Sequence, residues 1–516
     1  MHVALIYTEV DVWALGMRTV SSVLKQAGYS TRIITMGSES GAFTAEALAG
    51  LRRIVADADA IGISCFSRGS EKAHQIVRAL AMTGKPLVWG GVHATLNPED
   101  CLKSADLVCV GEGEGFMIEF LSCLESGRDV RELANLVFKE DGVVRKNPLR
   151  PLIEDLDGLP LADYSFADEF RLVGERFEKV SDLSNVNEPI MFSGSRGCAR
   201  HCTYCTNAKM KEIYAGKGRY LRKMSIPRYI EQARLLRGRF PNSRYYYFID
   251  EDFLARSLDD LREFAREFWG QVGLPFECMV SPTQVTEEKI DLMVRAGMWR
   301  VRMGVESGSE RTKTEVYRRA ISNASVSRAA AIISRRQELV PYYFFIMSNP
   351  YEAREDVVDT LRFISGLPGP FYIQAFNLVF FPGSVLYERA VADRFILGKD
   401  DSGYLLDFRG GLKYEGARWK RKNLYLNGLL FLMEGKKTAR RAGLIPLGTL
   451  RFLLKDGFVE FMEKYQFLIV AMIEMKIFFL RIRKVAAQFL TRIVGDPRAI
   501  FGRARIPAEM QAGQGA

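Results

Sequence analysis

The first 150 residues alternate short apolar runs with stretches whose apolar positions fall three and four apart. The runs predict strands at residues 3–7, 31–35, 60–64, 87–90 and 107–110, and the spaced stretches predict helices such as 17–27 and 71–82. Alternation of this kind predicts a parallel sheet covered by helices on both faces. Residues 165–188 are polar and charged, and the Asp157-Gly-Leu-Pro160 run ahead of them carries turn chemistry, so 151–188 is a predicted linker. The strand-then-helix pattern resumes over 189–400, with strands predicted at 190–193, 245–249, 276–279, 300–304, 342–348 and 372–379. The fold class is α/β, with a Rossmann-like domain over 1–150, a second strand–helix domain over 189–400, and a basic, apolar, helical region over 401–516. In such sheets ligands sit beyond the carboxyl ends of the strands. The polar motifs that follow each strand are therefore the candidate functional residues.

Three cysteines fall close together as Cys198-x3-Cys202-x2-Cys205, in the predicted loop after the strand at 190–193. A cubane iron–sulfur cluster held by protein alone takes four thiolates, so three leave one iron open to a small ligand. Arg196, Arg200 and His201 stand nearby in sequence as candidates to stabilise the thiolates. A zinc site or three unrelated buried thiols are the other readings. Zinc takes a fourth Cys or His at a defined spacing, and His201 is badly placed between the ligands.

The cysteine spacing resembles the signature of the radical S-adenosylmethionine (SAM) superfamily. The resemblance implies a [4Fe-4S] cluster on Cys198, Cys202 and Cys205, with its open iron on the amino and carboxylate groups of SAM. It implies reductive cleavage to a 5′-deoxyadenosyl radical, driven by an external donor of flavodoxin or ferredoxin type. The six strand–helix units match that family's partial (β/α)6 barrel. Tyr204 matches the aromatic residue that the family sets against adenine. Asp250 or Asp252, in Asp250-Glu-Asp-Phe253, matches the site for the SAM amino group; the plain alternative is a solvated helix cap. Glu306 and Ser307, in Gly304-Val-Glu-Ser-Gly308, resemble the residues that contact ribose and carboxylate. Ser348-Asn-Pro-Tyr-Glu352 departs from the commoner Gly-x-Pro-x-Glu, which puts its SAM contact in doubt. Phe381-Pro-Gly-Ser-Val-Leu-Tyr387 resembles a turn that closes the core, and its Pro and Gly are explained by turn chemistry.

Upstream, the predicted strand ends carry Ser64-Cys-Phe-Ser67, Gly90-Gly-Val-His-Ala-Thr95 and Gly111-Glu-Gly-Glu-Gly115. Paired glycines let backbone approach a bulky ligand closely. In this order, ahead of the cysteines, the loops resemble the cobalamin-binding domain of cobalamin-dependent radical SAM proteins. The resemblance implies that Ser64, Gly90, Gly91, Gly111 and Gly113 hold the corrin and its nucleotide tail. A sheet that has lost its ligand and persists as a packing domain is the other reading. Methyltransferases of the methionine synthase type ligate cobalt through the histidine of an Asp-x-His-x-x-Gly loop. The matching stretch here is Asp11-Val-Trp-Ala-Leu-Gly16, with Trp13 in the histidine's place. Trp13 then either covers the lower face of the corrin or packs in the sheet. His93 is a second candidate for cobalt, against an ordinary hydrogen-bonding role.

Composition narrows the setting. The 516 residues are 48% hydrophobic and 26% charged, enough for two or three domains with real cores. Five further cysteines lie scattered in apolar runs, and the opening residues read as a strand rather than a leader, so a reducing, cytoplasmic setting is expected. Residues 411–516 hold 20 Lys and Arg against 8 Asp and Glu, while the whole chain carries only +10. The clusters at 418–422, 436–441 and 481–484 flank apolar stretches, the longest at 467–473. That run falls short of the roughly 20 residues of a membrane span. Either the region caps the barrel, or it lies peripherally on the inner face of a membrane. No nucleic-acid module is legible.

The function this implies is a cobalamin-dependent radical SAM methyltransferase that methylates an unactivated carbon of a lipid-like or natural-product small molecule. A cyclase or rearrangement enzyme with the same cofactors, and a non-catalytic cobalamin or iron–sulfur sensor, are the alternatives.

Overall fold

A computed structural model of the chain describes residues 1–9, 13–37, 42–180, 188–398, 422–473, 475, 476 and 478. The first sheet takes β1 (His2–Tyr7), β2 (Ser30–Thr35), β3 (Ala60–Ser64), β4 (Leu87–Gly90), β5 (Leu107–Cys109), β6 (Leu136–Glu140), β7 (Val143–Lys146), β8 (Glu169–Val173) and β9 (Arg176–Lys179). Its order is β7-β6-β5-β4-β3-β1-β2-β8-β9. Strands β1 to β5 run parallel in the doubly wound order 2-1-3-4-5, whose direction of winding reverses between β1 and β3. Apolar clusters cover both faces, one around Ile6, Ile61 and Trp89, the other around Leu5, Val88 and Phe116.

The stretch expected to be a linker is only partly one. Its hairpin β8–β9 adds to the first sheet, β8 pairing parallel with β2. The charged residues that made it read as loop are the ones that seat it. Glu169 and Arg18 form a fully buried two-pronged ion pair at 2.8 and 2.9 Å. Nearby, Asp163 accepts from Ser21 and Lys25, each at 2.6 Å. Burial would raise the Asp163 carboxyl, but Lys25, Ser165 and Ser21 hold it down at about 2. Its folded pKa lies below the unfolded value, so its stabilisation is present above about pH 4 and is lost as pH falls towards 2. Asp163→Asn is expected to cost about 2 kcal/mol at pH 7, and thermal melts should show that gap closing on acidification.

The second sheet begins with β10 (Ile190–Phe192), which leads into a small ribbon of β11 (Ser195–Arg196) and β12 (Arg222–Lys223). It continues through β13 (Tyr246–Phe248), β14 (Phe276–Val280), β15 (Met298–Glu306), β16 (Val340–Met347) and β17 (Phe371–Asn377). The six strands β10, β13, β14, β15, β16 and β17 are parallel neighbours in that order, an open six-stranded barrel wall. Short strands β18 (Gly435–Lys437), β19 (Arg441–Ala442) and β20 (Ile445–Pro446) extend it antiparallel from β17.

Apart from these short strands the described C-terminal region is helical, with helices at Leu424–Met433, Leu447–Leu453 and Asp456–Lys464. Its described part packs on the barrel: every residue of the helix Leu424–Met433 is buried in the barrel's core cluster or beside it. That is the capping reading of the two. No helix among the described residues is long and apolar enough to cross a membrane. The basic clusters at 418–421 and 481–484 lie outside the described residues.

Candidate active site between the two sheets

The carboxyl ends of β3, β4 and β5 open on a cavity of about 470 Å³. One wall is Ser64, Gly90, Gly91, Gly111 and Gly113; the other is Ser193–Gly197 from the barrel, with Tyr214 and Tyr220. All five residues carried over from the cobalamin-binding resemblance therefore face one space. Two of the glycines are there for the backbone. Gly91 and Gly111 sit at φ +91° and +96°, and a Cβ would run into the Ser64 hydroxyl in one case and the Tyr214 hydroxyl in the other. Gly90 and Gly113 have ordinary dihedrals, and a methyl added at either would meet only ordinary contacts, so their bareness serves the cavity rather than the fold. A wide, mostly apolar cradle stripped of side chains fits a large flat corrin.

Trp13 does not line this cavity. It is buried against Phe240 at 4.6 Å and Tyr164 at 6.1 Å, and its carbonyl accepts from the Tyr164 hydroxyl at 3.0 Å. Of the two roles left open for it, packing is the one its surroundings fit, because the barrel core offers the indole an aromatic pocket. His93 is also committed, with Ser67 on Nδ1 and Asp100 on Nε2, both at 3.1 Å. Neither ring nitrogen is left for cobalt.

The two walls are clamped by charge. Arg196, two residues before Cys198, donates to Glu112 at 2.8 Å and Glu114 at 2.5 Å, the two acids of the Gly-Glu-Gly-Glu loop. Arg222 adds a bond to Glu112 at 2.9 Å. Burial alone would raise the Glu112 carboxyl, yet Arg196, the Ile153 amide and Arg222 keep it below its ordinary value.

The three cysteines lie on the loop that leaves this clamp. Cys202 is buried, while Cys198 and Cys205 are partly exposed, and Cys205 caps the helix Thr206–Ile213. Burial raises the Cys198 thiol and pushes Cys205 up to about 12, so iron must displace protons as it loads. The cations expected to stabilise the thiolates are spent elsewhere: Arg196 on the clamp, Arg200 on Ser281 and Thr283, and His201 on Lys211. Arg319, from far along the chain, does that work. Its Nη1 lies 3.5 Å from the Cys202 sulfur and 3.3 Å from the Tyr204 hydroxyl, and its Nη2 donates to the Gly304 carbonyl at 2.7 Å. Among the described residues no three Cys, His, Asp or Glu converge on a single metal ion. In a cubane each cysteine bonds a different iron, so three spaced thiols suit it better than they suit zinc. Arg319→Met is expected to weaken cluster retention by about 10–100-fold, read as iron per chain after anaerobic gel filtration.

The carboxylates after β13 are sorted by the backbone. The strand ends at Phe248, so alternation does not carry Asp250 and Asp252 to one side. Asp250 is buried; its Oδ2 accepts from Tyr229 at 3.0 Å and from the Gly194 amide at 3.4 Å, and its Oδ1 has no partner. Such an orphaned acceptor suits an ammonium group. Asp252 accepts from the Ser281 amide at 3.1 Å, and burial pushes it up to about 6. Glu251, passed over in the sequence, contacts Asn207 at 3.0 Å, whose amide lies 3.7 Å from the Cys205 sulfur. Tyr220, on the cavity wall, donates to the same Asn207 at 2.7 Å.

At the end of β15, Glu306 takes φ +71° and lies 3.8 Å from Arg319; burial raises its carboxyl. Ser307 is fully buried, with its hydroxyl among Glu352, Thr360 and the Ser309 amide, where it props the loop. Ser348 stands where glycine is commoner and takes the glycine conformation, φ +59°. Its amide donates to Asn427 at 2.8 Å and its hydroxyl to Asn377 at 2.9 Å, which hold the strained turn.

Comparison with known proteins agrees with this geometry. Residues 1–121 match the B12 binding domain and residues 192–364 match the Radical SAM superfamily, together more than half the chain. An uncharacterized methyltransferase of Pyrococcus horikoshii is 27% identical over 66% of this chain and 71% of its own. The cytidylyl-2-hydroxyethylphosphonate methyltransferase of Streptomyces wedmorensis is 25% identical over 66% and 69%. Among solved structures, the radical SAM methyltransferase TsrM of Kitasatospora setae, with cobalamin and a [4Fe-4S] cluster bound, superposes with a TM-score of 0.62 at 14% identity. The match covers 76% of this chain and 78% of that one. The chain joins a B12 binding domain to a radical SAM domain: it is a radical SAM enzyme, and its cofactors are a [4Fe-4S] cluster, SAM and cobalamin.

Proposed function

We propose that this enzyme methylates an unactivated carbon of a small organic substrate held in the barrel. The observation that carries the reading is the shared cavity, where the glycine loops face the cysteine loop and Arg196 ties the two together. When bound, the cluster with SAM supplies a 5′-deoxyadenosyl radical and cobalamin supplies a methyl group. Cys198, Cys202 and Cys205 hold the cluster, and Arg319 offsets thiolate charge beside Cys202. Tyr204 and Glu306 flank that site, and Asp250 or Glu251 accepts the amino group of SAM. Ser64, Gly90, Gly91, Gly111 and Gly113 seat the corrin. The proposed division takes residues 1–150 with the 169–179 hairpin as the cobalamin unit and 189–400 as the radical SAM core. About half of the basic region 411–516 lies outside the described residues, and the described half packs on the barrel.

The test is anaerobic. Protein reconstituted with iron, sulfide and cobalamin is supplied with methyl-labelled SAM, a reductant and candidate substrates. Four irons and one cobalt per chain, with a product heavier by one labelled methyl on carbon, support the reading. A product of unchanged carbon count would replace it with rearrangement, and iron without cobalt would remove methyl transfer altogether.

A further inference from the structure

The barrel sheet has two unlike faces. Phe248, Phe276, Val301, Tyr343 and Ile373 lie in the helix-covered core. The opposite face is charged and aromatic: in register across the strands stand Tyr247, Glu277, Arg300, and then Arg302, Tyr342, Tyr372. Glu277, at 1% side-chain exposure, takes both arginines, Arg300 at 2.9 Å and Arg302 at 3.0 and 3.1 Å. Two guanidiniums that never deprotonate thus share one carboxylate. Arg300 lies over Trp299 at 4.0 Å, and Arg302 over Tyr247 at 4.6 Å. Tyr342 and Tyr372 stack at 4.8 Å beside them. The Nε of each arginine is buried and has no acceptor.

We propose that Arg300 and Arg302 form an anion subsite inside the barrel, which binds a carboxylate or phosphate group of the substrate while the aromatic walls hold its hydrocarbon or ring body. The inference rests on the reading above and narrows its substrate to an organic anion. Charge shielded from water is ordinarily paired, and among the described residues Glu277 is the one carboxylate against these two guanidiniums, which leaves a positive charge among aromatic rings. The excess is oriented for use: Glu277 fixes both forks, and a second anion completes the set. Arg302 lies two residues before Gly304 on the same strand face, about 7 Å deeper than the carbonyl that holds Arg319 beside Cys202. A substrate anchored there by its anion extends its carbon skeleton towards the cysteine loop.

The test is calorimetric titration of the anaerobically reconstituted, SAM-loaded protein with phenyl phosphate, benzoate and benzyl alcohol, which share a ring and differ in charge. At least one anion is expected to bind about tenfold or more tighter than the alcohol, and the tighter of the two assigns phosphate or carboxylate. Arg302→Met is expected to weaken that anion by about tenfold or more, and Glu277→Gln to tighten it several-fold by removing the competing carboxylate. A purely structural salt bridge predicts weakening in both variants. Equal affinity for the alcohol, no binding of either anion, or no gain in Glu277→Gln overturns the proposal; where Arg302→Met does not fold, Glu277→Gln decides alone. Iron and cobalt per chain are measured on the same samples. Missing cobalt therefore strikes the methyltransferase reading, while the titration still decides the subsite.

Discussion

Cys202→Ala is expected to abolish the cluster and, with it, all formation of 5′-deoxyadenosine, while the chain stays folded. Cys202 is the most buried of the three thiols and the one that Arg319 touches. Its loss leaves two thiolates, too few for a cubane. Alanine is a mild replacement for a buried thiol that takes no part in the barrel's core cluster, so the fold loses little. Iron analysis, absorbance and quantitation of 5′-deoxyadenosine check it. A variant that keeps four irons would mean that the ligands lie elsewhere. In Cys278→Ala, which changes a fully buried thiol on β14, iron content is expected to be that of the wild type, with some loss of stability.

Gly113→Phe is expected to give the opposite pattern: iron and SAM cleavage retained, cobalamin and methylated product lost. Gly113 has a right-handed helical conformation at the start of the helix Glu114–Ser126, and a methyl there meets only Val20 at 3.6 Å. Backbone and neighbours thus accept a side chain, and the ring fills space on the cavity wall. Gly90→Leu tests the same point from β4, where a methyl meets only Cys109 at 3.7 Å. Gly91 and Gly111 are poor probes, because their left-handed backbone alone would cost about 1–3 kcal/mol with a bulky residue. Cobalt per chain after desalting is the readout. Full cobalt in both variants would move the corrin out of this cavity. Together with Cys202→Ala, the pair separates the two cofactors, each lost without the other.

The pairing also bears on why the domains are clamped. Glu112 and Glu114 belong to a glycine loop on the first sheet, and Arg196 and Arg222 belong to the ribbon beside the cysteines. A shift of one sheet against the other would break charge-assisted bonds that are mostly buried. The loops that face each other across the cavity are thereby held in one register.

Local pattern determined the elements. The strands at 60–64 and 87–90 were legible to the residue, because a buried parallel strand is an unbroken apolar run bounded by turn residues. The cysteine spacing and the glycine loops were legible for the same reason, since each site is built within one short segment. What sequence alone could not determine is which charged groups meet. The hairpin β8–β9 read as linker because its partner for Glu169 is Arg18, some 150 positions earlier. Arg196 looked like a thiolate partner by proximity in sequence, yet its acids lie more than 80 residues upstream. Arg319 reaches Cys202 from 117 residues away. Asp250 and Asp252 looked equivalent in one short motif, and only their distant partners, Tyr229 and Gly194 for one and Ser281 for the other, tell them apart. A buried charge is tolerated only where a partner meets it, and those partners come from distant elements, so the tertiary structure alone decides which polar residue faces a cofactor and which merely holds the chain in place.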